Sequence, residues 1–348
     1  MNNPDYHFVH NRFKLNGFHL NEDDLSRIAY IFIKEGEPFE RAVGDFLLDW
    51  FDQNDFIEMQ TSGTTGLPKL IRVSKQAMVN SALATGAFFD LDAGIKVLHC
   101  LPTQYVAGKM MLVRAFILGW DMDLVEPVSN PLERNNTVYD FCAMVPLQAE
   151  KSLMKLGQIK KLILGGAKVS QALSNQLKGM PTEIYETYGM TETITHIAAK
   201  RVGEEAFTVL PNVHISEDER HCLVIDPYVI CDEPVVTNDV VKVINDKQFI
   251  WLGRFDNVIN SGGVKLFPEQ IEEKLSRHIN RRYFVKGIPD EKLSEKLVLV
   301  IEGEPYSLSD DAFEDLGKYE KPKEVMFIKK FTETTSGKIK RAESIGNN

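Results

Sequence analysis

Near one end of the sequence, glycines and hydroxyl residues lead up to a lysine: Thr61-Ser62-Gly63-Thr64-Thr65-Gly66-Leu67-Pro68-Lys69. Glycine lets backbone N–H groups approach an anion closely, the hydroxyls add donors, and the lysine adds positive charge. The pattern therefore predicts a phosphate-binding loop, and its alternative is a plain surface loop of similar composition. It differs from the Walker pattern GxxxxGK[ST], because the lysine comes three residues after Gly66 and a leucine follows the lysine.

Three later segments contain side chains suited to nucleotide chemistry. The first, residues 185–193, brings an aromatic ring, a flexible glycine and the carboxylate of Glu192 close together. This carboxylate suits a Mg²⁺ site in which ATP phosphates complete the coordination shell, and its alternative is a solvated surface glutamate. The other two segments contain these runs: Gly253-Arg254-Phe255-Asp256-Asn257 with Ser261-Gly262-Gly263, and Thr334-Thr335-Ser336-Gly337-Lys338-Ile339-Lys340-Arg341. The last run is otherwise typical of a solvated basic terminus.

The hydrophobic pattern predicts a layered α/β core. Residues 162–164 and 249–252 are short apolar runs, and each is followed directly by glycine. Such runs are expected to be buried strands that deliver loops to a site. Helical patterns lie between them, and strands mixed with helices indicate an α/β fold.

After about residue 256 the sequence supplies a small set of elements of its own. Proline suits the first turn of a helix, and apolar residues four apart share one helical face. The segment is expected to contain a helix with Ile271, Leu275 and Ile279 behind Pro268, a strand at residues 297–301 and a strand at residues 325–328. It therefore has the content of a separate α+β domain.

Composition excludes several classes of protein. The chain has 348 residues, 43% hydrophobic and 26% charged, which is ordinary for a globular protein and long enough for two domains. Lysine and arginine total 40 against 50 acidic residues, so the net charge of -10 disfavours general binding to nucleic acid or anionic lipid. Any anionic ligand must therefore meet specifically placed groups.

The cysteines and the N-terminal residues indicate a cytoplasmic protein. Four cysteines are spread along the chain without a CxxC pair, namely Cys100, Cys142, Cys222 and Cys231. They are expected to be reduced and to be buried as small hydrophobic residues. The N-terminal residues lack the unbroken apolar segment of a signal peptide, and no apolar run is long enough to span a bilayer.

Taken together, the motifs resemble those of the superfamily of acyl-CoA synthetases, luciferases and peptide-synthetase adenylation domains. They occur in family order as TSGTTGLPK, LGGA, YGMTET, GRFDN with SGG, and SGKIKR, over roughly residues 55 to 345. The resemblance implies a large N-terminal domain at residues 1–255 and a small mobile α+β domain at residues 256–348. Members of the superfamily have a longer segment before the phosphate loop than the 60 residues found here, so a shortened N-terminal subdomain is expected.

By this resemblance, the activity is the ATP-dependent conversion of a carboxylic acid to its acyl-AMP, followed by transfer of the acyl group to coenzyme A. The superfamily's ATP contacts fall on these residues: Thr61, Ser62, Gly63, Thr64, Thr65, Gly66 and Lys69 at the phosphates; Gly165, Gly166 and Ala167 beneath adenine; Tyr188 and Gly189 near the base; Thr191 at the α-phosphate; Asp239 and Arg254 at the ribose or phosphate. Glu192 matches the Mg²⁺ carboxylate.

The C-terminal motifs imply a reaction in two conformations. Lys338 matches a catalytic lysine, and a placed ammonium would stabilise the charge that builds up when the carboxylate attacks the α-phosphorus. Asp256 falls at the hinge, where its alternative is a simple turn residue. After a rotation of the small domain, the glycine segment would contact the pantetheine of coenzyme A, through Ser261, Gly262, Gly263 and Lys265.

Three residues are candidates for contact with the acid. Tyr105 stands where many relatives have an aromatic or histidine gate, and its alternative is a core or pocket-wall tyrosine. The short chain and its C-terminal motifs look most like ligases whose acid has two carboxylates, and Arg114 matches a basic residue of that group. A guanidinium suits bidentate carboxylate binding, and Lys109 is a second candidate. A solvated helix face is the alternative for Arg114.

Other functions remain as competitors. A ligase for a different aryl or acyl acid and an enzyme that loads a carrier protein share the same motifs. A P-loop phosphotransferase is disfavoured by the missing Walker spacing, and a nucleotide sensor without catalysis is disfavoured by the presence of Glu192 and Lys338. The oligomeric state is left open by the sequence.

Overall fold

The computed structural model describes residues 4–60, 70–226, 230, 233–333 and 339–346. These residues form a mixed α/β structure, as predicted. The strands are β1 (Lys14–Leu15), β2 (Phe18–His19), β3 (Phe56–Gln60), β4 (Leu70–Ser74), β5 (Lys96–His99), β6 (Asp121–Leu124), β7 (Tyr139–Met144), β8 (Ile159–Leu164), β9 (Glu183–Gly189), β10 (His196–Arg201), β11 (Ala206–Val209), β12 (His214–Glu217), β13 (Cys222–Asp226), β14 (Val235–Asn245), β15 (Gln248–Arg254), β16 (Ile259–Ser261), β17 (Val264–Leu266), β18 (Tyr283–Asp290), β19 (Ser294–Glu302) and β20 (Glu324–Ile328). The helices are α1 (Glu22–Glu35), α2 (Pro38–Trp50), α3 (Lys75–Phe89), α4 (Val106–Leu118), α5 (Pro146–Lys151), α6 (Gln171–Leu177), α7 (Pro268–Leu275) and α8 (Arg341–Gly346).

Up to Arg254, most strands belong to one sheet in the order β12-β13-β14-β15-β11-β10-β9-β8-β7-β5-β6-β1-β2. The strands β9-β8-β7-β5-β6 are parallel to one another. On the other side of β9, every neighbouring pair in the order β9-β10-β11-β15-β14-β13-β12 is antiparallel. Strands β3 and β4 form a separate antiparallel pair. Helix α4 is buried along nearly its whole length, which explains why it is apolar on all sides.

The residues before the phosphate-loop motif pack onto the same core. Strand β1 extends the large sheet by pairing in parallel with β6. The Trp50 ring at the end of α2 lies 5.2 Å from the Phe116 ring on α4, and the Phe46 ring lies 5.8 Å from Trp50. The Trp50 indole also donates to the Tyr6 carbonyl over 3.0 Å. These residues therefore cover the outer side of α4.

After residue 256, the chain forms a second sheet with its own core. The order is β17-β16-β19-β18, and β20 pairs in parallel with β19. The predicted strands at residues 297–301 and 325–328 are confirmed as parts of β19 and β20. Helix α7 begins at Pro268 as predicted but ends at Leu275, so Ile279 joins the core from the segment beyond the helix.

The predicted strand at residues 249–252 is confirmed as part of β15, which continues through Gly253 to Arg254. A Cβ at this position would lie 2.5 Å from Glu269 Oε2. The end of the flexible Glu269 side chain could move aside, but the φ of +157° at Gly253 is one that residues with a Cβ rarely adopt, so glycine is favoured here without ending the strand. The run at residues 162–164 does form a strand that ends at Leu164, as predicted.

The described cysteines confirm the expectation of buried free thiols. Cys100, Cys142 and Cys222 are buried and unpaired in disulfides, whereas Cys231 lies outside the described residues. The Sγ atoms of Cys100 and Cys142 are 3.8 Å apart, and burial raises the pKa of the Cys142 thiol. None of the helices formed by the described residues combines the length and apolar character that a membrane crossing requires.

Candidate active site

Three side chains from two strands, β9 and β15, converge on the carboxylate of Asp239, which is only 6% exposed. The Tyr188 hydroxyl, on β9, donates to Oδ2 over 2.7 Å, and the Trp251 indole, on β15, donates to Oδ1 over 3.1 Å. Arg254 Nη1 lies 3.5 Å from Oδ1, across the β14–β15 register pair that joins these residues. A carboxylate has about four acceptor positions, so one remains for a hydroxyl donor.

The Tyr188 ring is held by packing as well as by this hydrogen bond. It lies 5.2 Å from the Phe249 ring in an edge-on arrangement and 5.8 Å from the Phe207 ring. Burial and, after it, the nearby Asp239 charge raise the pKa of the Tyr188 hydroxyl, which therefore stays a proton donor. Tyr188 thus fixes the orientation of the carboxylate.

The loop that follows β8 is shaped by two glycines. The Thr187 hydroxyl on the neighbouring strand β9 donates to the Leu164 carbonyl over 2.9 Å, and a Cβ on Gly165 would lie 2.8 Å from that hydroxyl oxygen. Gly166 has a φ of +80°, a conformation that side chains with a Cβ rarely adopt. Ala167 continues this loop at the carboxyl end of a parallel strand, which is where ligands bind in open α/β sheets.

The segment after β9 makes a tight turn. A Cβ on Gly189 would lie 2.3 Å from the Thr195 carbonyl oxygen, so only glycine permits this approach of two backbones. A single 3₁₀ turn spans Thr191–Thr193, and Thr193 Oγ1 accepts from the Met190 N–H over 3.1 Å. This turn places Thr191 and the exposed Glu192 beside the end of β9.

Mg²⁺ fits this arrangement only if ATP phosphates supply part of its coordination shell. No cluster of three or more His, Cys, Asp or Glu side chains suited to a metal ion occurs among the residues that the structure describes. Mg²⁺ retains waters and takes one or two carboxylates together with substrate phosphates. Glu192 alone would therefore suffice as the protein ligand when ATP is bound.

Arg114 is buried, with 2% of its surface exposed, so the solvated-face alternative is wrong. Its Nε donates to Thr85 Oγ1 over 3.3 Å, and Nη2 lies 3.4 Å from both Thr195 Oγ1 and His196 Nδ1. All three partners are uncharged, and no carboxylate in the described part of the chain lies within ion-pair distance. Burial lowers the pKa of Arg114 to about 9, so the group remains a cation at neutral pH.

The other two acid-contact candidates lie apart from Arg114. Lys109 lies five residues before Arg114 on α4, so the two side chains point about 140° apart around the helix axis. Its Nζ lies 4.8 Å from the centre of the Phe46 ring, and burial lowers its pKa while Asp49 and Asp45 oppose that shift. Tyr105 precedes α4 and is 66% exposed, so its interpretation as a core residue is wrong.

Asp256 lies at the junction of the two sheets. It falls in a 3₁₀ turn, Phe255–Asn257, directly after β15, and Oδ2 lies 3.6 Å from Arg254 Nη2. The Asn238 side chain also contacts Oδ2 at 3.5 Å. Asp256 is thus linked through Arg254 to the Asp239 site.

The glycine segment of the C-terminal motif is a two-residue hairpin turn. Gly262 and Gly263 have φ values of +59° and +84° and connect β16 to β17, which pairs Ser261 with Val264. Two positive φ values are typical of the turns that close β-hairpins. Lys265 faces a 490 Å³ cavity between the sheets, whose other lining residues include Arg220, His221 and Val240. Among the described residues, no hydrogen bond or ion pair joins the hairpin to Tyr188 or Asp239.

Two predicted elements lie outside the described residues, namely the phosphate loop Thr61–Lys69 and the catalytic lysine Lys338. Four further residues contribute contacts that the motifs do not indicate: Trp251 at Asp239, and Thr85, Thr195 and His196 at Arg114. Thr195 and His196 lie two and three residues after the 185–193 motif, so their position along the chain is a usable signal. Thr85 gave none, because it lies mid-helix in α3.

This chain is similar in sequence and in fold to known proteins. Residues 49–216 match the AMP-binding enzyme family. A solved structure from Dyadobacter fermentans, described as an acyl-CoA synthetase (AMP-forming)/AMP-acid ligase II-like protein, is 35% identical with a TM-score of 0.63, and the match covers 92% of this chain and 98% of that chain. This chain therefore belongs to the family of AMP-binding enzymes.

Within the family, this chain is similar to proteins named as CoA ligases of 2-succinylbenzoate. A curated 2-succinylbenzoate–CoA ligase of Haemophilus influenzae is 25% identical over 277 residues, which are 72% of this chain and 60% of the relative. The chain thus spans about three fifths of that relative's length. The Bacillus subtilis O-succinylbenzoate coenzyme A synthetase, solved in complex with ATP and magnesium ion, superposes on this chain with a TM-score of 0.71 at 20% identity. The match covers 83% of this chain and 69% of that chain, so the two share the fold.

Proposed function

We propose that this protein is an ATP-dependent carboxylate:CoA ligase that acts on 2-succinylbenzoate, the dicarboxylic acid activated in menaquinone biosynthesis. It would form the acyl-AMP with release of pyrophosphate, then the acyl-CoA thioester with release of AMP. Its reactants are small molecules, which agrees with a cytoplasmic location. The names of the curated relatives and the shared fold support the reaction class.

The observation that carries the choice of acid is the buried Arg114 without a described carboxylate partner. An isolated charge is costly to bury, so such a cation calls for an anion that arrives with the ligand. Because Arg114 contacts Thr195, close in the chain to Thr191 and Glu192, the anion would lie near the reacting end of ATP. A second carboxylate on the acid meets this requirement throughout the reaction, whereas the carboxylate of a monocarboxylic acid loses its charge when the acyl-AMP forms.

The remaining residues then have defined tasks. Asp239, oriented by Tyr188 and Trp251, would accept a hydrogen bond from a ribose hydroxyl of ATP. Glu192 would hold Mg²⁺, which when bound neutralises phosphate charge as the acyl-AMP forms. Lys338 would approach the same phosphates and stabilise the transition state more than the bound ground state.

The second half-reaction would need a different orientation of the C-terminal sheet. We assign residues 256–348 to a domain that rotates at Asp256, with the Ser261–Lys265 hairpin contacting the pantetheine arm. The shortness of the connection between β15 and β16 supports a hinge there, because few residues need to change their backbone angles. Coenzyme A and a carrier protein present the same pantetheine thiol, so the acceptor must be tested directly.

The test is to incubate the protein with ATP, Mg²⁺ and CoA and to detect products by mass spectrometry. The acids are 2-succinylbenzoate and 4-oxo-4-phenylbutanoate, its analogue without the aromatic carboxylate. Formation of 2-succinylbenzoyl-CoA by the wild type, lost in Lys338→Ala and in Arg114→Leu, is expected. Equal use of both acids would overturn the choice of substrate, and acyl-AMP without a thioester would overturn the choice of CoA as acceptor.

A further inference from the structure

The hydrogen-bond arrangement around Arg114 fixes the protonation of a neighbouring histidine. Thr85 has a single hydroxyl proton, which it donates to the Ser81 carbonyl one helical turn earlier, over 3.0 Å. Its oxygen therefore acts as an acceptor in its other contacts. One of these is Arg114 Nε at 3.3 Å, and the other is His196 Nε2 at 3.5 Å.

Because the Thr85 oxygen accepts, His196 Nε2 must carry the proton at that contact. In a neutral imidazole the other nitrogen, Nδ1, is then unprotonated and can accept. The group facing Nδ1 is Arg114 Nη2 at 3.4 Å, which can only donate. Both ends of the ring therefore require the same tautomer, neutral with the proton on Nε2.

The surroundings of the ring oppose a second proton. His196 opens β10 and is 6% exposed, and the groups that face it are Arg114 from α4 with Thr85 and the Phe89 ring from α3. Burial and, after it, the Arg114 charge lower the pKa of His196 well below its usual range. An imidazolium would place two donors and two cations face to face, so the ring can serve Arg114 only as an acceptor.

From this geometry we infer that His196 is a positioning residue for substrate specificity: its Nδ1 holds the Arg114 guanidinium in the orientation that receives the second carboxylate of the acid. The inference rests on the proposed function, in which Arg114 binds that carboxylate. Thr85 fixes the tautomer and Thr195 shares Nη2, so three uncharged groups orient the cation without neutralising it. A carboxylate in place of His196 would instead compensate the charge and compete with the acid.

The kinetic test compares His196→Leu, His196→Asn and Ser81→Ala by thioester formation from 2-succinylbenzoate and from 4-oxo-4-phenylbutanoate. Leucine removes the acceptor, and KM for the dicarboxylate should rise about tenfold while kcat changes little. Asparagine keeps a carbonyl oxygen near the Nδ1 position and should recover most of the loss. Ser81→Ala is the matched control, because it removes from the same helix a buried hydroxyl that has no hydrogen-bond partner in the described part of the chain.

Several results separate this inference from the proposed function. If the wild type forms no 2-succinylbenzoyl-CoA, the proposed function itself is contradicted. If the wild type forms it and Arg114→Leu abolishes it, an unchanged KM in His196→Leu would overturn the inference alone. If thioester formation falls equally with both acids and His196→Asn does not restore it, His196 has only a structural role.

A spectroscopic test does not depend on activity. Long-range ¹H–¹⁵N spectra of histidine rings distinguish the two neutral tautomers from the imidazolium, and His196→Asn identifies the signal of this ring. At pH 7 the His196 ring is expected to be neutral with its proton on Nε2. A proton on Nδ1, or an imidazolium, would contradict the inferred hydrogen-bond arrangement.

Discussion

The Tyr188 hydroxyl donates to Asp239 over 2.7 Å although three strands, β10, β11 and β15, separate β9 from β14 in the sheet order. In a flat sheet, four strand spacings correspond to about 19 Å, which exceeds the combined reach of the two side chains. The antiparallel part of the sheet must therefore curl so that β9 and β14 face each other. Phe207 and Phe249 fill the space inside this curl, with ring centres 5.5 Å apart.

Tyr188→Phe tests whether this bond orients the ATP ribose acceptor. The phenyl ring keeps the packing against Phe249, but one oxygen of the buried Asp239 carboxylate loses its donor. The loss of one hydrogen bond to a charged group corresponds to about 1.5–3 kcal/mol. We expect KM for ATP to rise about tenfold or more, measured by ATP–pyrophosphate exchange.

Tyr185→Phe is the matched control on the same strand. Its hydroxyl donates to the partly exposed Glu183 carboxylate over 2.9 Å, away from Asp239. This variant should keep the wild-type KM for ATP. A similar rise in both variants would mean that any loss of a tyrosine hydroxyl from β9 disturbs the site.

Gly189→Ala tests the tight turn that presents Thr191 and Glu192. The new Cβ would lie 2.3 Å from the Thr195 carbonyl oxygen and 2.5 Å from the His196 Cα, so the backbone must move. We expect acyl-AMP formation to fall by at least about a hundredfold, because small misplacements of catalytic groups are costly. The free energy of unfolding, from urea titration, should fall by about 1–3 kcal/mol.

Gly157→Ala provides the comparison for Gly189. Its Cβ would meet only Pro181 Cγ at an ordinary 3.5 Å, and no positive φ is involved. It should leave acyl-AMP formation near the wild-type rate. Wild-type activity in Gly189→Ala would show that the turn has room to adjust.

The sequence predicted the fold class well because its signals are local. Residues 162–164 form a strand, and Pro268 begins a helix, since apolar runs and proline act through their neighbours in the chain. The contact between Gly253 and the Glu269 side chain is not predictable, because Glu269 lies on a helix that is formed later in the chain. Such contacts between distant segments leave no periodic pattern.

In the candidate site, too, residues within motifs are predictable from the sequence, whereas contacts between distant segments are not. Motif residues such as Tyr188 and Asp239 are predictable from the sequence, and the structure brings them into contact. The burial of Arg114 is not predictable from the sequence. Helix α4 is apolar on nearly every side, so the spacing of its apolar residues does not indicate which side chains face a cavity. His196 became visible only through its distance to that side chain.

The ion pair between Lys168 and Glu273 links the loop beneath the predicted adenine site to helix α7 of the C-terminal sheet. Nζ and Oε2 are 2.8 Å apart, and both side chains are about half exposed. An exposed pair contributes no more than about 1 kcal/mol. We expect Lys168→Glu and Glu273→Lys each to change the ratio of acyl-AMP formation to thioester formation by up to about fivefold.

The double variant Lys168→Glu/Glu273→Lys should restore the wild-type ratio, measured with the two half-reactions assayed separately. Lys296→Glu is the control, because Lys296 pairs with Glu324 over 2.8 Å within the C-terminal sheet. It should leave the ratio unchanged. Purely additive effects in the double variant would show that the Lys168–Glu273 pair does not set the orientation of the domain.

Buried His99 predicts a loss of stability in mild acid. Its Nε2 contacts Thr103 Oγ1 at 3.2 Å, Nδ1 has no hydrogen-bond partner among the described residues, and burial lowers the pKa from 6.5 to about 4. Between these values the unfolded chain binds a proton that the folded protein excludes, so stability falls as pH falls. From pH 7.5 to 5.5 this one group should remove about 1 kcal/mol of stability.

His99→Gln isolates this effect, because glutamine does not titrate and all other ionisable groups are shared with the wild type. The free energy of unfolding, measured by urea titration at pH 7.5 and 5.5, should fall by about 1 kcal/mol less in the variant than in the wild type. Far-UV circular dichroism at pH 7.5 verifies that the variant is folded. Equal losses in the two proteins would mean that His99 takes up a proton in the folded state at ordinary pH, and that the interior beside β5 admits water.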